Sequence, residues 1–209
     1  MAEIPTLVDG HGDARRTVVL AHGAGAPMDS PFMRRFAEGL AAEGLRVVRF
    51  EFPYMQERRR TGGRRGPDRA PVLEESWRQV VAQTGPAERQ IIGGKSMGGR
   101  IASRIADACG VAGLVCLGYP FHPPGRPETL RTEHLSGLTT PTLIVQGTRD
   151  PFGRHEEVAE YDLSPTIELC WIEDGDHSLK PRRRSGLTEE QNLQQAIDRV
   201  AAFAGETLG

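Results

Sequence analysis

At 209 residues, with 38% hydrophobic and 26% charged side chains, the chain has room for one hydrophobic core and gives no compositional reason to divide it. A formal net charge of -2 supplies no global field that would draw it to nucleic acid or to an anionic membrane, and no run of about 18 apolar residues offers a transmembrane helix. The expectation is a single domain over residues 1–209 with no nucleic-acid and no membrane partner.

The first sixteen residues carry Glu3, Asp9 and Asp13 and lack a continuous apolar stretch, so they do not read as a secretory leader. Cys109, Cys116 and Cys170 have neither metal-type spacing nor the even count of a disulfide framework, which favours a reducing, cytoplasmic setting.

Taken in chain order, short apolar runs bounded by glycine alternate with amphipathic stretches. TVVLA at 17–21 reads as a strand. Ser30-Pro31 then opens a helix whose Phe32, Phe36 and Leu40 share a face before Gly44 stops it. LRVVRF at 45–50 is the second strand, and the arginine-rich stretch 56–69 reads as a loop. Pro71 opens a helix carrying Leu73, Trp77, Val80 and Val81 on one face and ending at Gly85. RQIIG at 89–93 is the third strand, followed by a helix with Ile101, Ile105 and Ala108 ahead of Gly110. VAGLVCL at 111–117 is the fourth, and the proline-rich stretch 119–137 a second loop. PTLIVQ at 141–146 and TIELCWI at 166–172 complete six strands, with a short helical candidate around Val158 between them and a closing helix through Leu193, Ile197, Val200 and Phe203. Strands this apolar need cover on both sides, so the pattern predicts an α/β fold: a mostly parallel sheet of at least six strands, helices on both faces and no separate lid domain.

Gly94-Lys95-Ser96-Met97-Gly98 matches G-x-S-x-G and joins the third strand to a helix. A tight strand-to-helix turn forces the serine backbone into strained geometry, which small flanking residues permit, and lifts the hydroxyl above the carboxyl edge of the sheet. The overlapping GGKS string does not complete a phosphate-binding loop, because G-x-x-x-x-G-K requires glycine where Arg89 stands. A serine hydroxyl needs a base, and His177, in the polar turn after the sixth strand, is positioned for it. Asp150, just after the fifth strand, is the acid that would hold the imidazole tautomer; Asp174 and Asp176 compete but lie close enough to His177 to be turn caps. The order Ser96, Asp150, His177 puts each member at the carboxyl end of a different strand.

An oxyanion formed at Ser96 needs two backbone donors. The N–H of Met97 is one; Ala24, in His22-Gly23-Ala24-Gly25-Ala26 after the first strand, supplies the other, with Gly25 as the alternative. His22 is read as a residue that locks this loop.

The segments HGAGAP, GGKSMGG, GYPFHPPG, QGTRDPFG and GDHSLK together resemble small bacterial α/β-hydrolases of the dienelactone-hydrolase-like group. More narrowly, the chain resembles a compact subgroup related to the hydrolase-like domain of a chromatin-complex subunit. Dienelactone hydrolases proper use cysteine where this chain has Ser96, so their substrate does not carry over. The resemblance implies an α/β-hydrolase fold and its triad logic; with the residues above, the expectation is a serine hydrolase that cleaves an ester, thioester or related acyl bond of a small-molecule substrate through an acyl-enzyme on Ser96. Its alternative is a scaffold that keeps the fold without turnover. No cofactor and no metal are implied.

Tyr54, Met55, Tyr119, Phe121 and Phe152 are expected to wall the substrate pocket, with anchoring of their own loops as the other reading. Arg58, Arg59, Arg60, Arg64 and Arg65, together with Lys180, Arg182, Arg183 and Arg184, border the same region. They are either recruiters of an anionic substrate or solvated loop charges.

Overall fold

The computed structural model describes residues 3–11 and 16–209, so part of the N-terminal stretch weighed above as a leader lies outside the described residues. The elements run β1 (Thr6–Asp9), β2 (Thr17–Ala21), α1 (Pro31–Ala42), β3 (Arg46–Phe50), α2 (Pro53–Thr61), α3 (Ala70–Thr84), β4 (Gln90–Lys95), α4 (Met97–Ser103), α5 (Ala106–Cys109), β5 (Gly113–Leu117), β6 (Thr142–Gly147), α6 (His155–Val158), β7 (Ile167–Ile172) and α7 (Glu189–Leu208). Among the described residues seven strands form one sheet in the order β1-β3-β2-β4-β5-β6-β7, parallel except for β1. Helices cover both faces, and no inserted lid domain interrupts the described residues. No helix among the described residues is long and apolar enough to cross a membrane.

The central strands β2, β5 and β6 are buried along their whole length, as their Val, Leu and Ile content requires once both faces are covered. On one face Phe50, Phe52, Trp77, Ile92 and Ile101 form a continuous apolar cluster under α2, α3 and α4. On the other, Phe36 and Leu40 of α1 pack with Ile197, Val200 and Phe203 of α7. Successive strands step outward from β2 to β3, then back past β2 to β4, so the direction of travel reverses there. At such a switch point the loops leaving β2 and β4 part to opposite sides and leave a crevice at the carboxyl ends of the strands. The loops after β2, β4, β6 and β7 all emerge at this edge.

Three elements differ from the sequence expectation. Strand β1, unread in the sequence, pairs antiparallel with β3 and is fastened by Arg49, which donates to Asp9 at 2.7 Å. The stretch 56–69 is only partly a loop: its first six residues belong to α2, which starts at Pro53 and ends at the left-handed Gly62. Arg58, Arg59 and Arg60 fall in its last turn, where cations favour the helix dipole. The helix after Ser96 breaks into α4 and α5, because the N–H groups of Arg104 and Ile105 turn to carbonyls three residues back and Ile105 leaves helical geometry.

Candidate active site

Ser96 sits between β4 and α4 with φ 51° and ψ -114°, a backbone conformation that is strained for a residue with a Cβ. The turn holds because its flanks are bare: a Cβ on Gly94 would lie 2.0 Å from the Ala21 carbonyl oxygen, and one on Gly98 2.4 Å from the same atom. The Ser96 N–H donates to the Leu117 carbonyl at 3.0 Å, which ties the turn to the neighbouring strand. Met97 begins α4, so its N–H has no carbonyl acceptor within the helix.

The Ser96 hydroxyl lies 2.9 Å from His177 Nε2, and His177 Nδ1 lies 2.7 Å from Asp150 Oδ2. A carboxylate accepts only, so Nδ1 carries the proton and Nε2 is left to accept from the serine hydroxyl. Asp150 is fully buried, and its other contacts hold it in place: the Phe152 N–H donates to Oδ1 at 2.9 Å and Gln146 Nε2 to Oδ2 at 3.0 Å. The Phe152 ring stacks on the His177 imidazole at 4.2 Å between centroids. The competing acids are engaged elsewhere. Asp174 takes Arg182 and Arg149, and the Arg182 hydrogen bond brings its carboxyl down to about 2. Asp176 accepts the N–H groups of Ser178 and Lys180 as a turn cap.

Two residues of this network carried no role in the sequence reading. Gln146, at the end of β6, is fully buried and also bonds both backbone groups of Tyr119, so one amide ties the acid to the loop after β5. Its signal was a polar side chain in a strand covered on both faces, which must find partners. Lys95, beside the serine, donates Nζ to the His177 carbonyl oxygen and lies 5.4 Å from the Phe32 ring centroid. Burial brings its ammonium down to about 8, against the pull of Asp150 and Asp176.

The loop after β2 lies across from the serine. A Cβ on Gly23 would sit 3.6 Å from Ser96 Cβ, so the loop and the turn touch. Buried His22 locks it: Nδ1 donates to Gly23 O at 2.6 Å while Nε2 accepts the Phe52 N–H at 3.2 Å, and desolvation lowers the imidazole pKa, favouring the neutral ring that this pairing needs. The Tyr54 hydroxyl donates to Ala24 O at 3.0 Å. Ala24 and Gly25 both line the cavity above Ser96, which encloses about 500 Å³ with Phe32, Met33, Phe152 and His177.

That cavity corrects the expected aromatic wall. Phe152 lines it, but Tyr54, Met55, Tyr119 and Phe121 are buried beneath the loops and do not. Tyr54 anchors Ala24, the Tyr119 hydroxyl donates to Arg131 O at 2.9 Å, and Phe121 fills the space that a side chain at Gly153 would take. The apolar wall comes instead from Phe32 and Met33 on α1. Several bordering cations are already paired: Arg59 with Glu51 and Asp29, Arg60 with Glu57, Arg65 with Asp68, Arg182 with Asp174 and Lys180 with Glu189. Among the described residues no group of three His, Cys, Asp or Glu side chains converges to hold a metal ion.

A family model described as an alpha/beta hydrolase domain matches residues 14–205, and the chain belongs to that family. Among solved structures, a dienelactone hydrolase from Anabaena variabilis superposes with a TM-score of 0.72 at 22% identity, covering 98% of this chain and 92% of the other. An alpha/beta serine hydrolase without lid from Xanthomonas campestris gives 0.67 at 21% identity over 93% and 86% of the two chains. A monoacylglycerol lipase from Paleococcus ferrophilus gives 0.71 at 14% identity over 96% and 99%. At these identities the likeness is one of fold.

Proposed function

We propose that this protein is a serine hydrolase that cleaves an ester, thioester or related acyl bond of a small molecule through an acyl-enzyme on Ser96. The observation that carries this reading is the continuous hydrogen-bonded path from Asp150 through His177 to the Ser96 hydroxyl. In this mechanism His177 Nε2 takes the serine proton as Oγ attacks the carbonyl carbon, and Asp150 stabilises the imidazolium that results. The backbone N–H of Met97 and that of Ala24 or Gly25 face the developing oxyanion. His177 then returns the proton to the leaving oxygen or sulfur, and water repeats the sequence on the acyl-enzyme.

The unpaired state of Cys109, Cys116 and Cys170 supports a cytoplasmic setting for the reaction. A fluorophosphonate probe read out by intact mass tests the proposal. One adduct on the wild type and none on Ser96→Ala is the expected result, whereas an unlabelled wild type favours a scaffold that has kept the fold without turnover.

A further inference from the structure

A second cleft, of about 350 Å³, shares Ser96, Ala24 and Phe152 with the apolar cavity. Its character is different. Arg100 and Arg131 both line it, and among the described residues neither has an acidic side chain within ion-pair distance. Arg100 Nε is buried and has no hydrogen-bond partner among the described residues. Among the described residues Asp68 is the one acid lining the cleft, and it is already committed to Arg65 at 2.8 Å and to the Tyr54 N–H at 2.9 Å.

Both arginines are placed by the fold. Arg100 stands four residues after Ser96, one turn along α4, and helical side chains lean toward the helix N-terminus, which here means toward the serine. Arg131 is held by its backbone: its N–H donates to Phe121 O at 2.8 Å and its carbonyl accepts the Tyr119 hydroxyl. Two like charges gathered in a partly desolvated cleft oppose each other, and burial together with the Arg131 charge presses the Arg100 pKa downward. A buried donor without an acceptor is costly to keep, and two guanidinium forks match the planar oxygens of a carboxylate.

We infer that Arg100 and Arg131 form a carboxylate-recognising subsite beside Ser96, so that favoured substrates carry a free carboxylate on one side of the scissile acyl bond. This rests on the serine-hydrolase reading, with the paired cations of the 56–69 and 180–184 stretches playing no part in it. The test compares 4-nitrophenyl hydrogen glutarate (acid on the acyl side) and 4-carboxyphenyl valerate (acid on the leaving side) with neutral 4-nitrophenyl valerate. The three are run on wild type, Arg100→Gln, Arg131→Gln and Arg100→Lys. For one acid ester, kcat/KM should fall about tenfold or more beyond any fall for the neutral ester in each glutamine variant, mainly through KM, with partial recovery in the lysine variant. Equal losses on acid and neutral esters, or no loss on either acid ester, overturn the subsite.

Binding of monomethyl glutarate and of the monovaleryl ester of 4-hydroxybenzoate to Ser96→Ala, by calorimetric titration, separates this from failure of the hydrolase reading. Arginine-dependent binding without turnover by the wild type keeps the subsite and removes the chemistry. Turnover of the neutral ester with arginine-independent binding does the reverse.

Discussion

On the relay side of Ser96, Asp150, Gln146 and His177 are joined into one set of mutually satisfied contacts, whereas in the adjoining cleft Arg100 keeps a buried nitrogen without an acceptor among the described residues. Both regions share Ser96 and Phe152, so the contrast is between neighbours within one site. A group that must hold one geometry is surrounded by partners; a group that must meet something arriving is left with capacity. The relay is the pre-set half of the site and the cationic cleft the receptive half.

The comparison breaks first at the serine. Ser96→Ala or His177→Ala should lower kcat on the order of 10⁴- to 10⁶-fold while leaving the chain folded, as measured by ester turnover beside thermal unfolding. Asp150→Asn keeps shape but offers an amide to Nδ1 and favours the wrong tautomer, for an expected loss on the order of 10⁴-fold in kcat. A variant retaining wild-type kcat would show that another acid serves His177. Gln146→Leu strips one contact from Asp150 and strands both backbone groups of Tyr119. It should cost about 1–3 kcal/mol in denaturant unfolding and about tenfold or more in kcat, with KM nearly unchanged.

Tyr54→Phe sharpens the picture on the loop after β2, because it removes only the hydroxyl that holds Ala24. About 1 kcal/mol of stability and a few-fold in kcat are expected, both accessible from chemical denaturation and steady-state rates. A pH dependence of stability, separate from turnover, is expected at Lys95. Its proton leaves the folded state near pH 8 but stays on the unfolded chain to about pH 10.5. A buried cation therefore disfavours the fold below pH 8, and that penalty is relieved as pH climbs between the two values. Wild type should gain stability relative to Lys95→Met across that window, and parallel melting curves at pH 7 and pH 10 read it directly.

The parallel sheet was legible because β2, β4, β5 and β6 are continuous apolar runs closed by glycine or proline, and the Ser96 turn because its glycines sit where a strand becomes a helix. Strand β1 was not, since TLVD is short, half-exposed and defined by its pairing with β3 instead of by its own pattern. The aromatic residues show the limit most clearly. Spacing placed Tyr54, Tyr119, Phe121 and Phe152 at the right edge of the sheet, but which of them face a cavity depends on how the loops fold back over one another. Arg100 escaped notice for a related reason: one arginine on a helix looks solvated until Arg131, 31 positions later, closes over the same space.

Phe152 has a kinetic consequence. Its ring lines both the apolar cavity and the cationic cleft, so in the proposed cycle one half of the substrate can occupy each space. In that cycle an acid group on the departing half should leave the charged chamber with the first step. On the retained half it keeps that chamber occupied, so product should appear as a rapid burst followed by a slow steady rate.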